Sequence, residues 1–361
     1  MSSTAPPERN SQSTNGNSNT TDAAKDVTAT KKSYANNAWL QTAPARQVRM
    51  LCEYLEARDR LRQQRILATF LVFGTARSLT HDQWNSRMNE ATARLRLLKN
   101  GKNESEGASV NDPEAVLAVE REIGDLRRLE WLCFFSEKVT KLTRRLAEWL
   151  MTAEARAAGK RILQKFPTPL DNDDYWGPDQ GSLSQELVYC PVAICTGGGP
   201  GLMEAANRGA SEVPGARTIG MGITLPFEGG LNRYITKDLG FEFQYLFARK
   251  FWMINTALGV IAAPGGFGTL DELMEVLALK QSNKLKRDMP IVLLGKTYWT
   301  SIISFDKMVE FGTISQSDCD KLFITDDEDE AFEYLRSFLL KDSAVTGEGY
   351  IHKSLAKRQR E

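Results

Sequence analysis

Six short, strongly apolar runs recur along the chain from residue 67 onward, and stretches of helical character separate most of them. The runs occupy residues 67–74, 191–199, 218–225, 241–247, 257–266 and 289–295. A short run of this kind fits a strand that is buried on both faces of a parallel sheet. Because strands that alternate with helices form such sheets, the sequence predicts an α/β fold: a Rossmann-like, doubly wound parallel sheet with helices on both faces.

The first two apolar runs are much further apart than a compact crossover between parallel strands requires. An insertion of helices and loops is therefore expected at 79–128, with a flexible loop at 101–113. Further along, apolar side chains step by three and four, which predicts a long amphipathic helix that makes the crossover. These residues are Phe135, Val139, Leu142, Leu146, Trp149 and Ala153.

The two ends of the chain differ in composition from the part that carries the apolar runs. Residues 1–37 are rich in Ser, Thr, Asn and Ala and hold almost no bulky apolar side chain, so they are expected to be disordered. Residues 38–65 have helical character and are expected to cover an edge of the sheet. The Rossmann-like domain is expected at 66–345, with a second loop at 167–184, followed by a polar, basic tail at 346–361.

The composition also bears on the cellular compartment. The five cysteines are scattered and show no CxxC spacing, which argues against a disulfide framework and indicates a reducing, cytoplasmic location. The Ser-rich start is also compatible with a transit peptide, although Glu8, Asp22 and Asp26 interrupt it. No apolar run of about 18 residues occurs, so no membrane span is expected.

Charge and histidine content exclude several classes of function. Basic and acidic residues number 46 each, so the chain has no overall field that would attract nucleic acid or an anionic membrane. The two histidines, His81 and His352, leave little material for a histidine metal site or a Ser-His-Asp triad. A phosphate-bearing ligand would therefore have to be held by a local site.

Three of the apolar runs end in glycine, at Gly74, at 197–201 and at Gly265 and Gly266. Ligands of doubly wound sheets bind beyond the carboxyl ends of the strands, so these three loops are expected to converge on a site. Glycine allows a ligand to approach the backbone closely, and the amides at a helix N-terminus attract anions. The last turn therefore predicts a phosphate site, whereas 197–201 lacks the spacing of a known nucleotide motif and indicates phosphate or tight packing.

Two pairs of residues near these loops have both a structural and a functional interpretation. Thr269 and Glu272 show the S/T-x-x-E spacing of a capping box, in which each side chain satisfies a backbone amide. Glu272 would otherwise be a carboxylate that lies one turn inside a helix and points at the strand-end crevice. Arg249 and Lys250 open a helix at the end where the dipole disfavours cations, which indicates either an anionic ligand or an exposed salt bridge.

The last glycine turn is part of a longer pattern, since residues 264–272 read Pro-Gly-Gly-Phe-Gly-Thr-Leu-Asp-Glu and complete the signature PGGxGTxxE. Together with residues 71–78, 196–210 and 220–236, this stretch resembles the LOG family, also called lysine decarboxylase-like, and looks most like its longer bacterial-style branch. The resemblance runs through roughly half of the chain and implies a Rossmann-like enzyme.

The LOG resemblance implies hydrolysis of the N-glycosidic bond of purine nucleoside 5'-monophosphates, including cytokinin nucleotides, to free base and ribose 5-phosphate. Members are cytokinin riboside 5'-monophosphate phosphoribohydrolases or more general nucleosidases that act on nucleotides such as AMP. Arg249 and Glu272 match the catalytic pair of the family. Glu272 would stabilise an oxocarbenium-like state and activate water, while Arg249 would bind the ligand and keep the carboxylate ionised.

The remaining substrate contacts are expected from the glycine loops and their neighbours. These residues are Gly74, Thr75, Gly198, Gly199, Lys250, Gly265, Gly266, Gly268 and Thr269. The reaction requires no metal or redox cofactor. The decarboxylase name implies pyridoxal phosphate, but nothing in the sequence identifies a Schiff-base lysine with a pyridinium partner, so no cofactor is expected.

A homodimer or higher homo-oligomer is expected. The apolar stretches 131–150 and 251–259 supply more apolar surface than one sheet face needs, the resemblance implies a dimer, and symmetric dimers are the commonest closed assembly. A non-catalytic nucleotide-binding regulator or carrier on the same fold is the alternative, because a fold does not decide function.

Overall fold

The structure is a computed structural model, and the chain divides into two compact units, residues 1–51 and 52–361. The described residues are 31–100, 112–165, 191–224, 230–286 and 288–341. Several expected segments therefore lie wholly or mostly outside the described residues. They are the disordered N-terminus 1–37, the loops at 101–113 and 167–184, and the basic tail 346–361.

The N-terminal helical region is interrupted rather than continuous over 38–65. Helix α1 spans Asn37–Leu40, and helix α2 begins only at Arg46 and spans Arg46–Gln63. A short 3-10 helix, Ala43–Ala45, separates the two and contains Pro44. Proline has no backbone N–H to continue a helix from the preceding residues, which accounts for the break.

The second unit contains a seven-stranded sheet in which every pairing is parallel. Its strands are β1 Ala68–Phe73, β2 Val192–Thr196, β3 Thr218–Ile223, β4 Gly240–Phe243, β5 Ala257–Ala262, β6 Ile291–Leu294 and β7 Leu322–Thr325. The strand order is β4-β3-β2-β1-β5-β6-β7, so the direction of winding reverses between β1 and β5. Strands β1, β2, β5 and β6 are buried along their whole length, and the predicted doubly wound α/β sheet is confirmed.

Helices flank the sheet. The remaining helices of the described residues are α3 His81–Asn100, α4 Pro113–Leu129, α5 Trp131–Leu150, α6 Ala153–Lys165, α7 Leu202–Ser211, α8 Leu246–Asn255, α9 Phe267–Gln281, α10 Lys296–Ile302, α11 Phe305–Glu310, α12 Gln316–Cys319 and α13 Glu328–Leu340. Phe70 and Val72 of β1 face a core shared with α5, α7 and α13. Thr69 precedes Phe70, so its side chain lies on the opposite face of β1. Its hydroxyl is 3.3 Å from that of Thr256 at the end of α8. None of the described helices is both long enough and apolar enough to cross a membrane.

The long connection between β1 and β2 contains a helical pair followed by the crossover helix. Helices α3 and α4 bury a small cluster of their own, formed by Ala91, Val119, Ile123 and Leu126. Helix α5 then packs on the sheet through the apolar positions expected for the crossover, up to Trp149. The helix ends at Leu150, and Ala153 begins α6.

Two elements differ from the sequence-based prediction. The apolar run 241–247 was expected to be a single strand, but β4 ends at Phe243 and α8 begins at Leu246. Strand β7 was not predicted, because it lies half-buried at the sheet edge and charged residues surround its short apolar stretch. At the opposite edge, Arg60 of α2 donates a hydrogen bond of 2.6 Å to the carbonyl of Gly240 in β4.

Candidate functional site

The candidate site lies where the winding of the sheet reverses, since ligands of doubly wound sheets bind beyond the strand ends at this point. The loops after β1, β2 and β5 are joined there by backbone hydrogen bonds. The amide of Thr75, after β1, donates to the carbonyl of Pro264, after β5, at 2.9 Å. The Thr75 carbonyl in turn accepts from the amide of Leu202, which begins α7 after β2, at 2.9 Å. The three glycine loops thus form one continuous edge.

Arg249 and Glu272 meet at this edge from two different helices. The Arg249 Nη2 atom, on α8, lies 2.5 Å from the Glu272 Oε1 atom, on α9. Both side chains are nearly buried, with exposed fractions of 12% and 11%. The Nε atom of Arg249 is buried and has no hydrogen-bond partner among the described residues. The pair therefore combines a buried ionic contact with an unsatisfied donor, which is a costly arrangement for a purely structural role.

Burial raises the pKa of Glu272 to about 7, because desolvation penalises the charged carboxylate. The nearby charges of Arg249 and Lys250 lower the pKa, and that of Asp271 raises it further. Arg249 thus lowers the pKa of Glu272, as expected from an opposite charge, although the net shift of that pKa is upward. The arginine favours the charged form, but the loss of water around a side chain buried between two helices outweighs it.

Lys250 already has two anionic partners. Its Nζ atom lies 2.5 Å from Asp271 Oδ2 and 2.9 Å from Glu275 Oε2, both on α9. Burial lowers the pKa of this ammonium group, but the two carboxylates outweigh burial, so the pKa is raised. Lys250 thus links α8 to α9, beside the Arg249 contact, and a direct phosphate contact from Lys250 stays a prediction.

The glycines of the turn after β5 have different local roles. A Cβ atom on Gly265 would overlap the side chain of Thr269, so packing requires glycine at this position. A Cβ atom on Gly266 or Gly268 would meet no atom within 4 Å, and Gly266 has an ordinary φ of −85°. Neither packing nor a positive φ therefore requires glycine at these two positions, and the close approach of a ligand to them stays a prediction.

The capping-box interpretation of Thr269 and Glu272 is wrong. Helix α9 begins at Phe267 and its N-cap is Gly266, which makes Thr269 the third residue of the helix. Thr269 and Glu272 are both buried within the helix, and no side chain caps its N-terminus. Backbone amides at the start of α9 have no partner within the helix, as at any helix N-terminus.

The loop after β2 is held by a buried polar network that the sequence analysis missed. Gly198 has a φ of +76° and donates its amide to the Thr196 hydroxyl at 2.9 Å. The carboxamide of Asn232 donates to the carbonyls of Gly198 and Gly199 at 3.1 Å and to Asn207 Oδ1 at 2.9 Å. A lone Asn in a Gly-rich segment has no spacing that would indicate such a role.

The two predicted residues after β1 act mainly through the backbone. A Cβ atom on Gly74 would lie 2.7 Å from the Cβ atom of Leu202, so glycine here permits close packing of α7 against the loop. The Thr75 hydroxyl accepts a hydrogen bond from the amide of Arg77 at 3.1 Å. A substrate contact from either residue stays a prediction.

Comparison with known proteins agrees with this arrangement. The family model described as "Possible lysine decarboxylase" matches residues 203–335, which include both members of the buried pair. The chain is 34% identical over 139 residues to the cytokinin riboside 5'-monophosphate phosphoribohydrolase LOG4 of Arabidopsis thaliana. Over this part of its length, the chain is similar to LOG-family proteins.

The LOG-family match is confined to part of each protein. It covers 37% of this chain and 61% of LOG4, so the chain matches less than two thirds of that relative. A probable cytokinin riboside 5'-monophosphate phosphoribohydrolase of Oryza sativa subsp. japonica, LOGL6, is 36% identical over 141 residues, with 37% of this chain and 54% of the relative covered. A molybdenum cofactor binding protein from Rippkaea orientalis aligns at 22% identity over 41% of this chain and 78% of its own, with a TM-score of 0.29, which is too low to carry an argument.

The decarboxylase description attached to the LOG family does not fit the lysine at this site. A Schiff base with pyridoxal phosphate forms from a neutral amine, which requires a lysine whose pKa is lowered. Asp271 and Glu275 instead raise the pKa of Lys250 and hold its Nζ atom. Lys250 therefore lacks the lowered pKa that a Schiff-base lysine requires.

Proposed function

We propose that this chain hydrolyses the N-glycosidic bond of a purine nucleoside 5'-monophosphate to the free base and ribose 5-phosphate. The observation that carries the proposal is the buried contact of 2.5 Å between Arg249 and Glu272 beside the open glycine turn. Cytokinin nucleotides belong to the proposed substrate class, because the relatives named above act on cytokinin riboside 5'-monophosphates.

Glu272 is the proposed catalytic carboxylate. Cleavage of an N-glycosidic bond passes through an oxocarbenium-like state, which a nearby carboxylate stabilises electrostatically. In its ionised form, Glu272 would face the anomeric carbon and remove a proton from the attacking water. A pKa raised to about 7 suits this second task, because a base is most effective when its pKa is close to the working pH.

Arg249 is proposed to serve both the carboxylate and the ligand. Its Nη2 atom orients Glu272. Its Nε atom has no partner among the described residues and is shielded from solvent, so an anionic or carbonyl oxygen of the substrate would reach it after a local rearrangement. Because unsatisfied buried donors are costly, a substrate oxygen that accepts from this atom would gain binding free energy.

The 5'-phosphate is proposed to bind the amides at the start of α9. Gly266 and Gly268 leave this backbone open, and the positive end of the helix dipole faces the same point. The loop containing Gly198 and Gly199 would shape the sugar pocket, since Asn232 fixes the carbonyls of both residues. Neither contact requires a metal ion, and no group of residues suited to a metal occurs in the described part of the chain.

The proposed assembly is a homodimer or a higher homo-oligomer. Most of the apolar surface first expected to drive association is buried within the protomer, including Trp252, Met253 and Ile254 of α8. Trp131 and Phe134 at the start of α5 remain exposed. Phe247 of α8 and Phe267 of α9 are exposed at the helix starts beside the site, where Phe267 is 92% exposed. A self-complementary surface at this edge would cover them.

The test is incubation of the purified chain with AMP, followed by chromatographic detection of adenine and ribose 5-phosphate. We expect both products in equal amounts, with Glu272→Gln as the matched inactive variant. A non-catalytic regulator or carrier would retain AMP unchanged while still binding it. A panel of nucleoside monophosphates, including cytokinin nucleotides, would then assign the base.

A further inference from the structure

Tyr298 makes a direct contact with the glycine turn from outside the PGGxGTxxE stretch. Its hydroxyl, on α10, donates a hydrogen bond of 2.5 Å to the carbonyl oxygen of Gly265. Gly265 directly precedes Gly266, the N-cap of α9. The contact therefore falls on the one peptide group that joins these two glycines, at the point where the phosphate is proposed to bind.

Fixing this carbonyl also fixes an amide. A peptide group is planar, and the described residues contain no cis peptide bond, so the carbonyl of Gly265 and the N–H of Gly266 point in opposite directions. When the carbonyl oxygen points at Tyr298, the Gly266 N–H points away from α10. A peptide between two glycines has fewer steric limits on its rotation than any other, so an external contact is needed to hold it.

The ring of Tyr298 is itself held by aromatic neighbours. Trp131, the first residue of α5, stacks on it with ring centroids 5.7 Å apart and an interplanar angle of 27°. Trp299 meets it edge-on at 5.3 Å, and the Trp299 indole N–H contacts the carbonyls of Ala262 and Leu294 at 3.1 and 3.0 Å. Because Trp299 directly follows Tyr298 in α10, these hydrogen bonds keep the tyrosine close to the ends of β5 and β6, next to the turn.

We propose that Tyr298 is a positioning residue for the phosphate-binding turn, and that Trp131 acts through it by holding its ring. The inference rests on the proposed function, because it assigns Tyr298 to the phosphate contact of that reaction. Tyr298 does not touch the reacting bond. It orients the Gly265–Gly266 peptide so that the Gly266 amide is directed at the phosphate before the substrate arrives.

Tyr298→Phe tests the proposal, because it removes the hydroxyl and keeps the ring that stacks on Trp131. We expect KM for AMP and the inhibition constant of ribose 5-phosphate to rise about 5- to 10-fold, the factor of one hydrogen bond, while kcat changes less than about twofold. For adenosine, which lacks the phosphate, kcat/KM should not change. A general structural defect would lower kcat/KM for AMP and for adenosine alike.

The matched control is Tyr334→Phe, which deletes a hydroxyl on α13 while the ring keeps its stacking contact with Phe323 at 4.4 Å. It should change neither KM nor the inhibition constant. Trp131→Leu should raise KM for AMP in the wild-type background but add little to Tyr298→Phe, because the two residues act through one contact. Full additivity of the two substitutions would contradict the role of Trp131.

The proposal is overturned if Tyr298→Phe leaves both constants for phosphate-bearing ligands within about twofold of wild type, or if AMP and adenosine are affected equally. Binding of ribose 5-phosphate, measured by calorimetry, separates this failure from failure of the proposed reaction. A wild-type chain that binds ribose 5-phosphate without releasing adenine from AMP would contradict the reaction alone. A wild-type chain that does not bind ribose 5-phosphate would contradict both.

Discussion

Two neighbouring glycines in the turn after β5 allow a direct test of whether this turn binds phosphate. Gly266→Ala places a methyl group where no protein atom lies within 4 Å, on a backbone with a φ of −85° that alanine adopts readily. Gly265→Ala places the same methyl group onto the side chain of Thr269. The first substitution should therefore affect the ligand, and the second should affect the fold.

The expected magnitudes follow from the contacts that each methyl group removes or creates. Charge-assisted hydrogen bonds from backbone amides to phosphate contribute about 1.5–3 kcal/mol each, so blocking one at Gly266 should lower kcat/KM for AMP by about 10- to 100-fold. The melting temperature should stay the same or rise slightly, because alanine restricts the unfolded chain. Overpacking at Gly265 should instead lower the free energy of unfolding by about 1–3 kcal/mol.

The assay is kcat/KM for AMP and for adenosine on each variant, with thermal unfolding measured on the same preparations. Wild type should prefer AMP by two or more decades, from two or three such hydrogen bonds at about 1.5–3 kcal/mol each. Gly266→Ala should reduce this preference with no loss of stability. If wild type uses AMP and adenosine equally well, or if Gly266→Ala keeps the full preference, the turn is only a tight connection between β5 and α9.

Three further predictions concern the buried pair and the assembly. Glu272→Gln should keep less than about a tenth of wild-type turnover of AMP, which corresponds to a barrier increase above ~1.4 kcal/mol. Ribose 5-phosphate binding and the melting temperature should be retained. Higher residual activity would show that Glu272 is not the catalytic carboxylate. Burial raises the pKa of Glu272 to about 7, and the reaction requires its ionised form, so kcat/KM should fall about tenfold per pH unit below that value. A decrease that begins only near the ordinary glutamate pKa would contradict the burial of this carboxyl group. Sedimentation at micromolar concentration should show a species larger than the 40.4 kDa protomer, with Phe247→Asp shifting it toward the protomer, whereas a wild type of protomer mass alone would contradict self-association.

The folded-state titration of Glu272 also predicts how stability depends on pH. A carboxyl group whose pKa is raised by folding binds more protons in the folded state, so it favours folding at low pH and loses that contribution as pH rises from its unfolded value through about 7. Stability should therefore decrease over this window in wild type. Glu272→Gln should flatten that part of the profile, which chemical unfolding at several pH values would measure.

The sequence by itself determined the fold class and the position of the glycine turn. A strand buried on both faces of a parallel sheet must be apolar at every position, so β1, β2, β5 and β6 are visible as uninterrupted apolar runs. Edge strand β7 has no such requirement, and it was missed for that reason. The signature at 264–272 is likewise local, because a turn and the helix that follows it depend on neighbouring residues.

Only the tertiary structure decided how the residues of the site act together. Arg249 lies on α8, which precedes β5 in the chain, and Glu272 lies on α9, which follows β5. Their contact depends on how α8 and α9 pack against each other. The same packing gives Lys250 two carboxylate partners, and the placement of α10 connects Tyr298 to the Gly265 carbonyl. Sequence spacing does not encode these distances between separate elements.

The sign of the Glu272 pKa shift shows most clearly what the sequence determined and what the tertiary structure decided. From the sequence, an arginine partner predicts a carboxyl group that is easily ionised. In the folded chain, the carboxyl group is also removed from water, and this desolvation outweighs the arginine and raises the pKa. The sequence determined which charged groups are present, while the depth at which the fold buries Glu272 decided the direction of its pKa shift, because solvation depends on the surroundings of an atom in three dimensions.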